Sequence, residues 1–227
     1  MPKRIGGIAI TSRSATHSGV FIALVLLSLS SISAAAKQEF APVSPDGLEL
    51  TKSSQVDVLY KRADATLAGY RKLMIDPVQV AFKKNWKPSA MEVSSSDRER
   101  IRTGVAEEFR KVFSEELQQK GGYQIVDAAG PDVLRVSAAV VDLYINAPDT
   151  MQAGRSRTYV TSAGEMTLIA ELRDSDSGQI LARAADRKNA SSSPMTWTNS
   201  VTNTAEARRI MRSWAQALRG ALDAARG

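Results

Sequence analysis

The first 36 residues of the chain combine a basic start, an apolar run and a small-residue ending. Three basic residues precede the apolar run at 19–27, and alanines occupy positions 34–36. This order is typical of a secretory signal peptide. The run is also shorter than the roughly 20 apolar residues that a membrane-spanning helix needs. We expect cleavage near Ala36 and a mature protein that is periplasmic in a Gram-negative cell or secreted. An uncleaved N-terminal anchor is the alternative.

This leader contains the only histidine, His17, and the chain has no cysteine. A mature protein that begins at Lys37 would have neither residue type. Disulfides, thiol nucleophiles and histidine bases are therefore excluded, and the commonest zinc ligands are missing. We expect a protein that is not an enzyme, with no catalytic residue, no metal site and no cofactor. No cysteine follows the apolar run, so we expect no lipid anchor there.

The charge of the chain argues against a nucleic-acid partner. The chain has 30 basic and 24 acidic residues, which gives a formal net charge of +6. The leader holds three of the bases and none of the acids, so the mature chain would carry +3. A surplus this small favours solubility, and it comes without the run of Lys or Arg that contacts with a phosphate backbone need. We expect no nucleic-acid partner.

The mature chain is expected to form one domain. Residues 37–60 are polar and include a Pro- and Gly-containing turn, which predicts a flexible N-terminal arm. Residues 61–227 are long enough for a single α/β domain. Apolar patterns predict strands, and these are 70–82, 123–126, 132–145, 165–172 and 179–185. Pro77 predicts an edge position or a bulge within the first of them.

Two helices are predicted among these strands. Ser96 and Glu99 form a capping box before an apolar face that repeats every three to four residues, and Gly121 and Gly122 end that helix. A similar cap at residues 203–206 begins the last helix. Two helices packed on a mainly antiparallel sheet of about five strands make an α+β fold, a two-layer α/β sandwich.

Short motifs in this order resemble a known family. They are Ile-Asp-Pro-Val at 75–78 after Tyr70, Tyr-Gln-Ile-Val-Asp at 123–127, Gly-Pro-Asp-Val-Leu-Arg-Val at 130–136, and Gly-Glu-Met at 164–166 before an Asp-Ser-Gly hairpin. Over about residues 55–225 the chain resembles the bacterial exported and lipoprotein family filed as domain of unknown function thirty-three thirteen. The resemblance implies a small exported protein without established catalytic residues. The lipid-anchoring cysteine of many members is missing here.

Two long polar segments are the candidate partner-binding regions. Residues 146–164, predicted as a polar loop or a protruding hairpin, link two long strands and are far longer than a hairpin connection needs. They include Met151, Arg155, Arg157 and Tyr159, which are residue types enriched at contact hot spots. Residues 186–202 form the second predicted loop and contain Trp197. A tryptophan in such a loop either folds back on the core or contacts a partner.

Charged residues elsewhere are interpreted as structural. The 174–178 segment resembles the start of a calcium loop, but its sixth and twelfth positions are not the Gly and Glu that such a loop uses, so we predict a hairpin turn. Asp76 is expected to bond backbone amides at a bulge next to Pro77. The arginines of the last helix are interpreted as a solvated face. Peripheral contact with a phospholipid surface or binding of an acidic partner is the alternative.

Three functional hypotheses follow. The favoured one is an exported, non-enzymatic cell-envelope accessory protein that binds an envelope protein partner through residues 146–164 and 186–202. The alternative is a periplasmic carrier of a small molecule or lipid, held in an apolar cleft between the last helix and the sheet and lined by Trp214 or Trp197. A carboxylate-based glycan hydrolase is the weakest, because it requires two acids close together in a cleft.

Overall fold

Eight strands and two helices make up the part of the chain that the computed structural model describes, which is residues 40–87, 93–145, 158–198 and 200–227. The strands are β1 (Glu49–Thr51), β2 (Val58–Lys61), β3 (Lys72–Ile75), β4 (Gln79–Phe82), β5 (Gln124–Ile125), β6 (Val133–Ile145), β7 (Thr158–Asp174) and β8 (Ile180–Thr198). The helices are α1 (Ser95–Ser114), continued by a π-helical segment (Glu115–Lys120), and α2 (Ser200–Arg226). The expected signal peptide lies outside the described residues.

All of these strands belong to one mixed sheet. Its order is β1-β2-β8-β7-β6-β3-β5, and β4 also pairs with β6. The neighbours β1, β2, β8, β7 and β6 pair antiparallel in that order. β3 and β4 pair parallel with β6, and β5 pairs parallel with β3. The α+β class with two helices is confirmed. The sheet has eight strands, which is more than the five, mainly antiparallel, that were expected. The missed strands are β1 and β2, which have three and four residues, too few to show a period-two pattern, and the one strand predicted over 70–82 is two strands, β3 and β4.

The first predicted strand is interrupted at Pro77. β3 pairs with residues 133–136 of β6, and β4 pairs farther along the same strand. Just before the break, the Asp76 N–H donates to the Val136 carbonyl oxygen at 3.0 Å. Proline has no N–H to add to the ladder, so pairing stops there. Pro77 was expected at an edge position or a bulge, and it lies instead in a break between β3 and β4.

Part of the expected N-terminal arm belongs to the sheet. β1 and β2 extend the sheet beyond β8. Leu48 is fully buried, and its N–H donates to the Ser44 Oγ at 2.9 Å. The prediction of a flexible arm over 37–60 is corrected from residue 40 onward. The burial of Leu48 and the backbone pairing of β1 and β2 hold this segment in the fold, although its composition is polar.

The hydrophobic core lies between the two helices and one face of the sheet. Alternate residues of a strand point to the same face, and those of β6 that face the helices are Leu134, Val136, Ala138 and Val140. The helices contribute Phe109, Val112 and Phe113 from α1 and Ile210, Met211 and Trp214 from α2. The opposite face of the sheet carries charged residues such as Arg135 and Glu171 together with apolar ones such as Ile169.

Ion pairs join α1 and its π-helical continuation to α2. The Glu108 carboxylate accepts hydrogen bonds from Arg208 at 2.6 and 3.1 Å. Farther along, the buried Glu116 accepts from Arg219 Nε at 3.1 Å. Because the contacts advance together along both helices, α1 and α2 run in the same direction.

The first helix begins earlier than its predicted capping box. Ser94 is the N-cap; its Oγ accepts the Asp97 N–H at 3.1 Å and donates to the Asp97 carboxylate at 2.6 Å. The predicted box at Ser96 and Glu99 is therefore wrong by two residues, although the cap geometry is of the same kind. The glycine-based end is confirmed, since Gly122 has a φ of +68°.

Most of the two predicted loops is regular structure. β7 already begins at Thr158, so the end of the 146–164 segment is strand. β8 runs to Thr198 and α2 begins at Ser200, so nearly all of 186–202 is strand or helix, and the predicted cap at 203–206 lies inside α2. The correction has a physical basis. Threonine, tyrosine and valine favour strands, and pairing satisfies the backbone of polar residues.

Candidate functional site

The far end of the β7–β8 hairpin is a two-stranded ribbon. β6 pairs with β7 only as far as Gly164, whereas β7 and β8 stay paired out to Thr158 and Thr198. Among the described residues, 158–163 and 191–198 pair only with each other. We call these two segments the ribbon.

The ribbon brings together two of the five candidate partner-binding residues. Tyr159 and Trp197 are directly opposed in the β7–β8 register. They come from segments that the sequence predicts as separate loops, so their pairing follows only from the strand register. Met151, Arg155 and Arg157 lie outside the described residues.

Irregular pairing separates the ribbon from the sheet. Between the pairs Val160–Thr196 and Ser162–Ser191, residues 192–195 of β8 are opposed by the single residue 161 of β7. This bulge contains a proline, which cannot donate to the ladder. At the base of the ribbon, a Cβ on Gly164 would lie 2.5 Å from the Tyr144 carbonyl oxygen. The strand can therefore follow this path only with glycine there.

An apolar cavity of about 480 Å³ lies between α2 and the helix-facing side of the sheet. Packed helices lie roughly 8–10 Å apart and strands about 4.8 Å, so one helix covers about two strands. Two helices therefore leave part of this sheet uncovered, and the cavity floor lies on β2, β8, β7 and β6. The cavity matches the cleft expected in the carrier hypothesis, with Trp214 among its lining residues.

Two cross-strand rows form the floor of the cavity. One row runs Leu59–Ala184–Ala170–Ala138 across β2, β8, β7 and β6, and the next runs Ala182–Leu172–Val136. The walls are Phe109 and Phe113 from α1 and Trp214, Leu218 and Ala221 from α2. Small residues in the floor keep open a space that larger side chains would fill.

A buried carboxylate fixes one wall of the cavity. Asp186 is 1 % exposed and accepts hydrogen bonds from Trp214 Nε1 at 2.6 Å, the Asp57 N–H at 3.1 Å and Lys188 Nζ at 3.1 Å. These three donors satisfy the charge and tie α2 to β8 and to the start of β2. Sequence reasoning placed Asp186 at the start of a polar loop, and the neighbouring polar residues give no signal of its burial.

Asp76 belongs to a charged cluster on the opposite face of the sheet. Its carboxylate accepts hydrogen bonds from Arg135 Nε at 2.9 and 3.0 Å and from Ser137 Oγ at 2.5 Å. The expectation that this carboxylate bonds backbone amides is therefore wrong, because two side chains of β6 reach it. Glu171 and Arg183 form a neighbouring ion pair at 2.8 Å.

The 174–178 segment is a hairpin turn, as predicted. The Asp174 Oδ1 accepts the Ser177 N–H at 2.8 Å, and its Oδ2 accepts the Tyr70 hydroxyl at 2.9 Å. The hydrogen bonds from Ser177 lower the pKa of Asp174, whereas burial and the bond to Asp174 raise the pKa of Tyr70 to about 12. Across the described residues, no group of three or more His, Cys, Asp or Glu is placed to hold a metal ion.

Four of the five arginines of α2 contact side chains of the protein itself. The contacts are Arg208 with Glu108, Arg209 with Glu206, Arg219 with Glu116, and Arg226 over the Tyr123 ring at 3.8 Å from its centroid. These partners favour the structural interpretation of this face over a phospholipid-binding one. Within the described part of the chain, no helix has the length and apolar character to cross a bilayer.

Several solved structures resemble the chain at low identity. The PelC dodecamer from Paraburkholderia phytofirmans is 13% identical with a TM-score of 0.31, over 68% of this chain and 96% of that one. Protein XCC0632 from Xanthomonas campestris is 12% identical with a TM-score of 0.34, over 66% and 81%. A candidate lipoprotein from Caulobacter crescentus is 10% identical with a TM-score of 0.35, over 69% and 88%. No inference about this chain follows from likeness at this level.

No curated protein matches the chain. A family model does match it, over residues 39–218, and that family is described as a protein of unknown function, DUF3313. The matched range includes every strand described above and most of α2. It also contains the motifs from which the resemblance was first drawn. The chain belongs to the DUF3313 family.

Proposed function

We propose that this chain is an exported, non-enzymatic accessory protein of the cell envelope that binds an envelope protein partner through the ribbon. The observation that supports this most is the register pairing of Tyr159 with Trp197. Tyrosine and tryptophan are enriched among the residues that dominate binding energy. Two of them opposed on one ribbon make a compact contact site.

The ribbon backbone also favours a protein partner. An isolated two-stranded ribbon is marginally stable in water. Within the described part of the chain, no third strand pairs with the outer edges of the ribbon, and such edges can pair with a strand from another chain. Binding a partner would therefore satisfy the backbone of the ribbon and cover its aromatic residues in one step.

The chemistry of the mature chain supports a binding role. Without histidine or cysteine, the usual general base and the usual strong nucleophile are missing. The cavity lining has no ionisable side chain, so the acid pair of the glycan-hydrolase hypothesis finds no place there. Export is supported by the leader, whose apolar run and alanine ending suit a signal peptidase.

The double variant Arg155→Ala with Tyr159→Ala tests the proposal. We expect the affinity-tagged variant to be folded and exported but to lose the envelope protein that the wild type retains after mild cross-linking. Thr198→Ala is a matched control on the same ribbon, and it should keep the partner. A folded double variant that retains every partner of the wild type would show that the ribbon is not the binding site.

A further inference from the structure

The cavity under α2 is too large to be an ordinary packing defect. Its volume of about 480 Å³ falls within the roughly 300–1,000 Å³ of ligand pockets. An empty apolar cavity loses contacts on every wall and destabilises the fold in proportion to its volume. Apolar lining of this kind favours the uptake of an apolar molecule over water.

The shape of the cavity favours an extended ligand. Its floor crosses four strands, from Leu59 on β2 to Ala138 on β6, which corresponds to a length of about 14 Å. Three alanines in that row leave a trough, and Phe109 and Trp214 wall it. A linear chain fits such a space better than a rounded molecule of equal volume.

The lack of charged side chains in the lining favours a neutral ligand. None of the residues that line the cavity is ionisable, and its polar members are Ser53, Gln55 and Gln216. All three are exposed, so they lie at the opening. Hydroxyl and amide groups there can hydrogen-bond a neutral polar end, whereas a buried charge would have no partner.

We infer that this cavity is a binding site for a single aliphatic chain with an uncharged polar end, such as the tail of a neutral lipid. The chain lies across β8, β7 and β6 beneath Trp214, and its polar end meets Ser53, Gln55 and Gln216. Asp186 holds the Trp214 ring in place through the 2.6 Å hydrogen bond to its indole nitrogen. This site is separate from the ribbon, and neither proposal depends on the other.

Dodecanol brominated at its terminal carbon is a suitable probe, because bromine quenches tryptophan fluorescence on contact. Trp214 lines the cavity, whereas Trp86 stacks on Phe82 elsewhere at 4.3 Å between ring centroids. With the delipidated mature protein we expect partial, saturable quenching. A rise in melting temperature over the same concentrations should accompany it, because a ligand that binds only the folded state stabilises it.

Filling the cavity provides the decisive variant. Ala184→Leu should weaken dodecanol binding about tenfold or more while the melting temperature without ligand stays level or rises. Ala185→Leu is the matched control, since the next residue of β8 points to the other face of the sheet and should leave binding unchanged. Ala170→Leu repeats the test from β7 if Ala184→Leu does not fold.

Three outcomes would overturn the inference. One is the absence of saturable quenching in the wild type. The second is equal quenching in wild type, Ala184→Leu and Ala170→Leu. The third is a dimer in sedimentation that the filling variants abolish, because the cavity would then be an interface between copies of the chain.

Discussion

The indole nitrogen of Trp214 donates a 2.6 Å hydrogen bond to the buried carboxylate of Asp186. Asp186→Ala would leave this N–H and the Asp57 N–H without an acceptor, and each unsatisfied buried group costs about 1–3 kcal/mol. We expect urea unfolding to show a loss of about 3 kcal/mol in the free energy of unfolding. The exposed Asp64→Ala should change it by less than about 0.5 kcal/mol. Equal effects of the two variants would show that the bond does not stabilise α2 on the sheet.

Gly164 and Gly104 form a second test pair. A Cβ at position 164 would lie 2.5 Å from the Tyr144 carbonyl oxygen, whereas one at 104 meets nothing within 4 Å. Gly164→Ala should therefore destabilise the protein by about 1–3 kcal/mol. Gly104→Ala, within α1, should stabilise it by about 0.5–1 kcal/mol. Thermal unfolding of both variants checks the prediction, and a neutral Gly164→Ala would show that the ribbon base tolerates a side chain.

Alkaline pH should destabilise the fold through Tyr123. Burial, followed by the hydrogen bond to Asp223, raises the pKa of Tyr123 from 10.0 to about 12. The folded state therefore keeps a proton that the unfolded state releases. This contribution to stability is complete below pH 10.0 and is lost as pH rises through about 12. Tyr70 acts in the same sense.

The variant Tyr123→Phe isolates the contribution of the Tyr123 hydroxyl to the pH dependence of stability. The variant should be less stable near neutral pH, because the bond to Asp223 at 2.9 Å is lost. It should also lose less stability than the wild type between pH 10.0 and about 12. Guanidinium unfolding across that window measures the difference, and parallel curves would contradict the assignment.

Cleavage of the predicted signal peptide can be tested separately. Protein recovered from the envelope fraction should have the mass of a chain that begins at Lys37, because alanines at 34 and 36 suit the signal-peptidase pocket. Ala36→Leu should accumulate as the full-length precursor. Exported wild-type protein of full mass would instead support the uncleaved anchor.

The helices and the long strands could be predicted because local patterns determine them. Phe109 and Phe113 repeat at helical spacing behind a serine cap, and β6 is a long apolar run. β1 and β2 are short, and β2 is held by pairing with the distant β8, so their local sequences are not distinctive. The ribbon is polar enough to resemble a loop, and only its pairing shows it to be strand.

The candidate sites could be predicted only in part. The carrier alternative placed Trp214 or Trp197 in a cleft between the last helix and the sheet, and Trp214 lines the cavity found there. The cavity volume depends on how far α2 covers the sheet, which no local pattern specifies. The opposition of Tyr159 and Trp197 depends on a register that spans a four-residue bulge. Burial of Asp186 likewise depends on Trp214, 28 residues away along the chain.

Photo-crosslinking from position 159 in intact cells tests directly whether the ribbon binds an envelope protein. A photoreactive residue replaces Tyr159, and a second strain carries it in place of Tyr60. Tyr60 is opposite Arg183, at the end of β8 away from the ribbon, and its hydroxyl donates to the Ala41 carbonyl oxygen. We predict a discrete adduct with one envelope protein from position 159 and none from position 60. A folded, exported protein that gives no adduct from position 159, or the same adducts from both positions, would contradict the account.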